Sequence, residues 1–177
     1  MKNIVYYVAI SIDGFICGLD EDVSGFVGEG NGVEKYLSDL KQFKTTIMGK
    51  NTYEFGYAFG LKPGQPAYAH MEHYIFSKSL NFENKHEKVH VVTDYDTEIL
   101  RKLKETTKTD IYLCGGGIFA GWLLEHKLID VLTIKLNPLV LGDGVRLFGN
   151  SKQTYKLNLR NSQLYDGCLL YTSDAAD

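Results

Sequence analysis

Asp110-Ile111-Tyr112-Leu113-Cys114-Gly115-Gly116-Gly117-Ile118-Phe119-Ala120 is the stretch on which the fold reading turns. Asp110 to Cys114 reads as a strand, and a helix follows through Ile118, Trp122 and Leu123, with three glycines at the joint. Glycines at such a junction let backbone N–H groups approach a pyrophosphate, and the helix N-terminus adds favourable partial charge. The run satisfies G-x-G-x-x-A. A Rossmann unit, however, belongs early in a chain and needs an acid near the end of the next strand. The next strand here, Leu132 to Asn137, carries none. Taken alone, the glycine run is either a nucleotide site or a tight structural turn.

Outward from this joint, strands and helices alternate. Ile4 to Ile10 is a near-continuous apolar and aromatic run, the pattern of a central strand covered on both faces. Val33, Tyr36, Leu37, Leu40 and Phe43 recur at helical spacing, with Asn31 placed as N-cap. Thr45 to Met48 predicts a strand ending at Gly49, and a short helix follows from Asn51 to about Phe59. His73–Phe76 and Val89–Thr93 are β-rich, and Asp96 can cap a helix carrying Ile99, Leu100 and Leu103. After Ile129 the texture turns to β segments, Val131–Leu136, Tyr155–Leu159 and Gln163–Tyr165. The fold class is α/β, a mostly parallel mixed sheet with antiparallel strands added at the C-terminal edge and helices on both faces.

Composition narrows the function classes. The 177 residues carry 19 Lys+Arg against 22 Asp+Glu, a net charge of −3, which lacks the basic footprint of a nucleic-acid binder. No apolar run reaches the roughly 20 residues needed to cross a bilayer, and Tyr6 and Tyr7 with the following Ser11-Ile12-Asp13-Gly14 make the apolar start a strand rather than a signal peptide. Three cysteines, Cys17, Cys114 and Cys168, give no disulfide framework and point to a reducing cytoplasm. The last ten residues, Cys168–Asp177, resemble the translation of a sequencing adapter joined to a shortened gene; the alternative is a genuine final strand with a polar tail. On the first reading one native domain spans 1–167 and residues 168–177 are not native.

Two further strand ends share the chemistry of the first. Met48-Gly49-Lys50-Asn51-Thr52-Tyr53-Glu54 adds a cation and a hydroxyl at a helix start, and Phe76-Ser77-Lys78-Ser79 flanks a lysine with two hydroxyls. Lys50 is either a phosphate partner or a solvated lysine beside a cap. In open α/β sheets, ligands sit at the carboxyl ends of strands, where all three junctions lie.

Ala9-x-Ser11-x-Asp13-Gly14-x-Ile16, Met48-Gly49-Lys50-x-Thr52-Tyr53-Glu54, Gly115-Gly116-Gly117 and Pro138-Leu139-Val140-Leu141-Gly142-x-Gly144-x-x-Leu147-Phe148 together resemble the dihydrofolate-reductase-like fold. The likeness is to its RibD C-terminal, pyrimidine-reductase-like branch, which belongs to riboflavin biosynthesis, and it runs from Met1 to about Gly167. The resemblance implies a three-layer reductase that binds NADPH across the sheet and acts on a small pterin- or pyrimidine-like heterocycle. Ala9 and Ile16 would frame the nicotinamide, while Gly49, Lys50, Asn51 and Thr52 would meet the phosphates. Ser77, Lys78 and Ser79 would reach the adenosine 2′-phosphate. Gly115, Gly116, Gly117, Ile118 and Phe119 would wrap the pyrophosphate. It also implies a cis Gly115–Gly116 peptide and a homodimer.

The catalytic acid is less legible. Folate-reducing members place a buried acid at the start of the first helix and a supporting Thr on a later strand; the matching positions fall near Glu34 and on Thr133. Isolated carboxylates are mostly exposed, which favours Glu34 as a solvated residue on a polar helix face. Asp13 either makes an Asx turn with Gly14 or lies beside the site as a proton relay. His70-x-x-His73 has metal-like spacing without the other ligands of a zinc site, so no metal is expected and both histidines read as structural or solvated. The tyrosines read as core filling and pocket rim. Two readings besides the reductase stay open: a module that keeps the nucleotide fold without a competent substrate site, and an NAD-dependent dehydrogenase, against which Lys50 and Lys78 argue.

Overall fold

The computed structural model describes residues 1–175. In chain order the elements are β1 (Ile4–Ile10), β2 (Phe15–Cys17), α1 (Asn31–Leu40), β3 (Thr45–Gly49), α2 (Lys50–Phe55), β4 (Glu72–Phe76), β5 (Val89–Val92), α3 (Thr97–Thr106), β6 (Ile111–Gly115), α4 (Gly117–Glu125), β7 (Val131–Leu136), β8 (Val145–Arg146), β9 (Leu157–Tyr165) and β10 (Cys168–Ala175). One eight-stranded sheet runs in the order β5-β4-β3-β6-β1-β7-β10-β9. The first six of these are mutually parallel, and β10 and β9 close the edge antiparallel. The chain moves outward from β1 through β3, β4 and β5, then returns β6 between β3 and β1. The carboxyl ends of β1, β3, β4 and β6 therefore open on one edge.

Strand alternation sorts the core into layers. Ile4 and Tyr6 of β1, Ile47 of β3 and Ile111 and Leu113 of β6 face α3 and α4. Val5, Tyr7 and Tyr112 point the other way, to Leu40 and Tyr36 of α1, while Met48 and Ile75 meet Tyr53 of α2. The fold is the three-layer dihydrofolate-reductase-like one. Asp96 caps α3 as predicted, its carboxylate accepting the Glu98 amide at 2.9 Å. α4 buries Gly117, Phe119, Ala120, Gly121, Leu123 and Leu124, an almost wholly apolar helix wedged between the sheet and the segment carrying β8. Gly117 is required there: a Cβ would stand 2.1 Å from the Arg146 carbonyl oxygen.

Four expectations are corrected. Asn31 does not cap α1; Gly30 holds that place at φ 98°, and the Asn31 Oδ1 instead accepts the Asp166 amide at 2.9 Å. Leu37, placed on the apolar face, is exposed. Tyr155–Leu159 and Gln163–Tyr165 are not two strands. Leu157–Tyr165 is one nine-residue edge strand, exposed along nearly its whole length because no element covers it. The Gly115–Gly116 peptide is trans; φ values of +119° and +93° at these glycines turn the chain instead, a route open to residues without a Cβ. β2 and β8 pair as a small separate ribbon, too short to show a period in sequence.

The segment set apart at 168–177 supplies β10, hydrogen-bonded between β7 and β9, and its boundary falls at the Asp166-Gly167 turn. Ala176 and Asp177 lie outside the described residues. Ser173 and Asp174 of β10 each carry a buried side-chain oxygen without a hydrogen-bond partner.

Candidate active site

The open edge holds a cavity of about 770 Å³, inside the ~300–1,000 Å³ usual for ligand sites. Thirteen of the fourteen residues predicted to hold a cofactor line it: Ala9, Ile16, Gly49, Lys50, Asn51, Thr52, Ser77, Lys78, Ser79, Gly116, Gly117, Ile118 and Phe119. Gly115 sits just behind the wall, against the Tyr6 ring. The three junctions thus share one cleft because β3, β4 and β6 are neighbours running the same way.

Their local chemistry favours an anion. Neither α2, beginning at Lys50, nor α4, beginning at Gly117, has a side chain capping its first amides, which leaves these donors for a ligand. A Cβ on Gly116 would lie 2.5 Å from the Thr52 Oγ1, so the two loops nearly touch and only bare backbone fits between them. The Lys50 ammonium donates to the Ser79 Oγ at 3.3 Å and lies 3.8 Å from the Glu54 carboxylate, tying the β3 end to the β4 end. The Ser77 Oγ accepts the amides of Ser79 and Leu80 at 3.2 and 2.9 Å, which fixes this loop. Phe119 stacks between Phe76 and Trp122, with ring centroids 4.8 and 5.9 Å away, and stiffens the wall.

The three candidate catalytic residues do not line the cavity. Asp13 accepts the amides of Leu141 and Gly142 at 3.1 and 2.7 Å, clipping its turn to the loop after β7. The Ser11 hydroxyl and these amides pull its carboxyl down to about 2. Such an acid holds no proton to give at neutral pH. Glu34 is exposed in the first turn of α1. Thr133 is buried in β7, between Tyr7 on β1 and Thr172 on β10.

What occupies the closed end is a group of tyrosines that sequence reading left as core and rim. Tyr7, Tyr36, Tyr68 and Tyr112 line the cavity there with Cys114. The Tyr36 and Tyr112 hydroxyls are 2.7 Å apart, and the Tyr68 hydroxyl lies 3.6 Å from the Cys114 Sγ. The Cys114 thiol beside it, together with burial, raises the Tyr68 phenol well above its ordinary range; burial and Cys114 push Tyr36 up to about 12. These positions come from α1, β1, β6 and the loop before β4. No local spacing links them, so no sequence signal marked them.

His73 fixes that loop. Fully buried, its Nε2 accepts the Tyr68 amide at 3.1 Å while its Nδ1 donates to the Met71 carbonyl at 3.0 Å, and burial lowers its pKa to about 4. His70 turns instead to the Leu40 carbonyl, at 3.1 Å. Between them the two rings bond three backbone groups, those of Tyr68, Met71 and Leu40.

The family model of the RibD C-terminal domain matches residues 2–171. The chain belongs to the RibD C-terminal domain family. This family is reductase-like. Its relatives include the uncharacterized protein YwjB of Bacillus subtilis, 27% identical over 168 residues, 93% of this chain and 92% of YwjB. Among solved structures, a putative riboflavin biosynthesis protein from Shewanella sp. PV-4 superposes with a TM-score of 0.83 at 23% identity, covering 100% of both chains. Dihydrofolate reductase from Enterococcus faecalis, solved with NADP(H), superposes at 0.61 and 16% identity over 99% of this chain and 97% of its own. The three-layer architecture of this RibD C-terminal chain is therefore shared with dihydrofolate reductase itself. No helix among the described residues is long and apolar enough to cross a membrane.

Proposed function

We propose that this chain is an NADPH-dependent reductase of a small pterin- or pyrimidine-like heterocycle. The observation that carries the reading is the convergence of three strand ends, two uncapped helix starts and two lysines on one cavity. The residues fit a dinucleotide. The uncapped α4 amides offer donors to a diphosphate, and Lys50, Lys78 and Ser79 supply the cations and hydroxyl that a 2′-phosphate needs. When bound, NADPH supplies the hydride. Ala9 and Ile16 would position the nicotinamide ring, and the apolar walls would exclude water from it.

A second reading, a nucleotide-binding module without catalysis, draws on one observation: Glu21 is the sole carboxylate among the described lining residues, and neither Asp13 nor Glu34 is one of them. Titration separates the possibilities. Trp122, the single tryptophan, stacks on cavity-lining Phe119 and reports occupancy by its fluorescence. NADPH is expected to quench it with at least tenfold higher affinity than NADH. Absence of quenching, or equal affinities, overturns the NADPH assignment; quenching without turnover of any folate, pterin or pyrimidine favours the module.

A further inference from the structure

The closed end of the cavity is rich in donors and poor in everything else. Tyr36, Tyr68, Tyr112 and Cys114 hold one dissociable proton each; the Tyr36 and Tyr112 hydroxyls share a hydrogen bond, and the Tyr68 hydroxyl shares another with the Cys114 thiol, either partner able to donate. Tyr36, Tyr68 and Tyr112 all line the cavity, and Tyr36 and Tyr68 are the less buried of the three. Tyr7 is committed elsewhere: its hydroxyl donates to the Asp39 carboxylate at 3.2 Å.

Charge points the same way. The cations among the described lining residues, Lys50 and Lys78, stand at the ends of β3 and β4, beside the glycine cradle. None accompanies the tyrosines. An anion pushed into the closed end would lose its water without gaining a counter-charge, and Asp39 behind Tyr7 would repel it. A neutral oxygen with two lone pairs, by contrast, suits hydroxyls that can turn to donate to it.

Shape completes the case. The rings of Tyr68 and Tyr112 meet edge to face at 5.8 Å, as do those of Tyr7 and Tyr36 at 4.9 Å. Tyr68 is held in that pose by its stack on His73 and by its own amide bond to the His73 ring. Rigid aromatic walls of this kind favour a flat guest.

We propose that the closed end is a subsite for a flat, uncharged carbonyl compound whose oxygen accepts hydrogen bonds from the Tyr36 and Tyr68 hydroxyls, and that it disfavours phosphorylated or otherwise anionic molecules. This names the substrate class of the reductase reading and rests on it for turnover, but its binding needs no cofactor. Because both phenols keep their protons through neutral pH, the donors persist there.

The test is calorimetric titration of the cofactor-free protein with isatin, a planar bicyclic dione, against isatin-5-sulfonate and indole. Isatin is expected to bind at least tenfold tighter than either, with an affinity unchanged between about pH 6 and about pH 9. Tyr68→Phe and Tyr36→Phe, each removing a single oxygen, are expected to weaken isatin five- to tenfold (~1–1.4 kcal/mol). Neither variant should alter NADPH affinity by more than about twofold. Circular dichroism melting confirms that each variant is folded, and either one suffices. Equal binding of the sulfonate, unchanged isatin affinity in a folded variant, or no isatin binding by a protein that binds NADPH overturns the subsite. Isatin binding without NADPH binding upholds the subsite and overturns the reductase.

Discussion

Lowering the pH should unfasten the Tyr68 loop through His73. The buried ring is neutral, with its Nε2 lone pair facing the Tyr68 amide, and a proton on that nitrogen would set two donors against each other. Its folded pKa is about 4 against 6.5 in the unfolded chain. Above pH 6.5 neither state is protonated and the stabilisation is complete. As pH falls below 6.5 the unfolded chain binds the proton first, so stability declines until pH reaches about 4 and is level beneath it. At about 1.36 kcal/mol per pH unit the ceiling of the loss is about 3 kcal/mol, of which about 2 is reached by about pH 5. Urea unfolding of the wild type and of His73→Gln, which keeps an acceptor but does not titrate, isolates the effect from other groups. The difference between the two should slope with pH over this window and be flat above it. A difference independent of pH would refute the account of His73 as a neutral acceptor.

Other perturbations probe the site and its frame. Lys50→Ala and Lys78→Ala should each weaken NADPH by about tenfold or less (~1 kcal/mol) while leaving NADH unchanged, read by Trp122 quenching. Gly117→Ala drives a methyl into the Arg146 carbonyl and should cost about 3 kcal/mol in urea unfolding, because both partners are backbone. Asp13→Asn should lower the melting temperature by a few degrees by loosening the clip on Leu141 and Gly142, with NADPH binding and turnover within about twofold of wild type; a collapse of turnover without loss of stability would restore the proton relay. Ser173→Ala removes a buried hydroxyl without a partner and should stabilise the chain by about 1 kcal/mol.

What the sequence determined by itself was the set of groups whose meaning is local. Ile4–Ile10 is apolar on both faces and became a central strand; Asp96 capped the helix it precedes; Gly49, Ser77 and Gly116 marked strand ends because glycine, lysine and hydroxyls follow strands within a few residues. Parallel order then carries such ends to one edge, so the cofactor side was legible in outline. Asn31 misled because the Asp166 amide outbid its place as a cap, and Leu37 because no layer among the described residues covers its face; for Asp13 the sequence left a turn and a relay open, and its bonds to the Leu141 and Gly142 amides come from a loop far along the chain. The closed end came from packing alone. Tyr36, Tyr68, Tyr112 and Cys114 lie up to 78 residues apart, and their shared protons exist only after β6 has threaded between β3 and β1 and α1 has settled over them. A hydrogen bond between distant side chains leaves no period in the chain, since its cause is the packing of layers and not the spacing of residues.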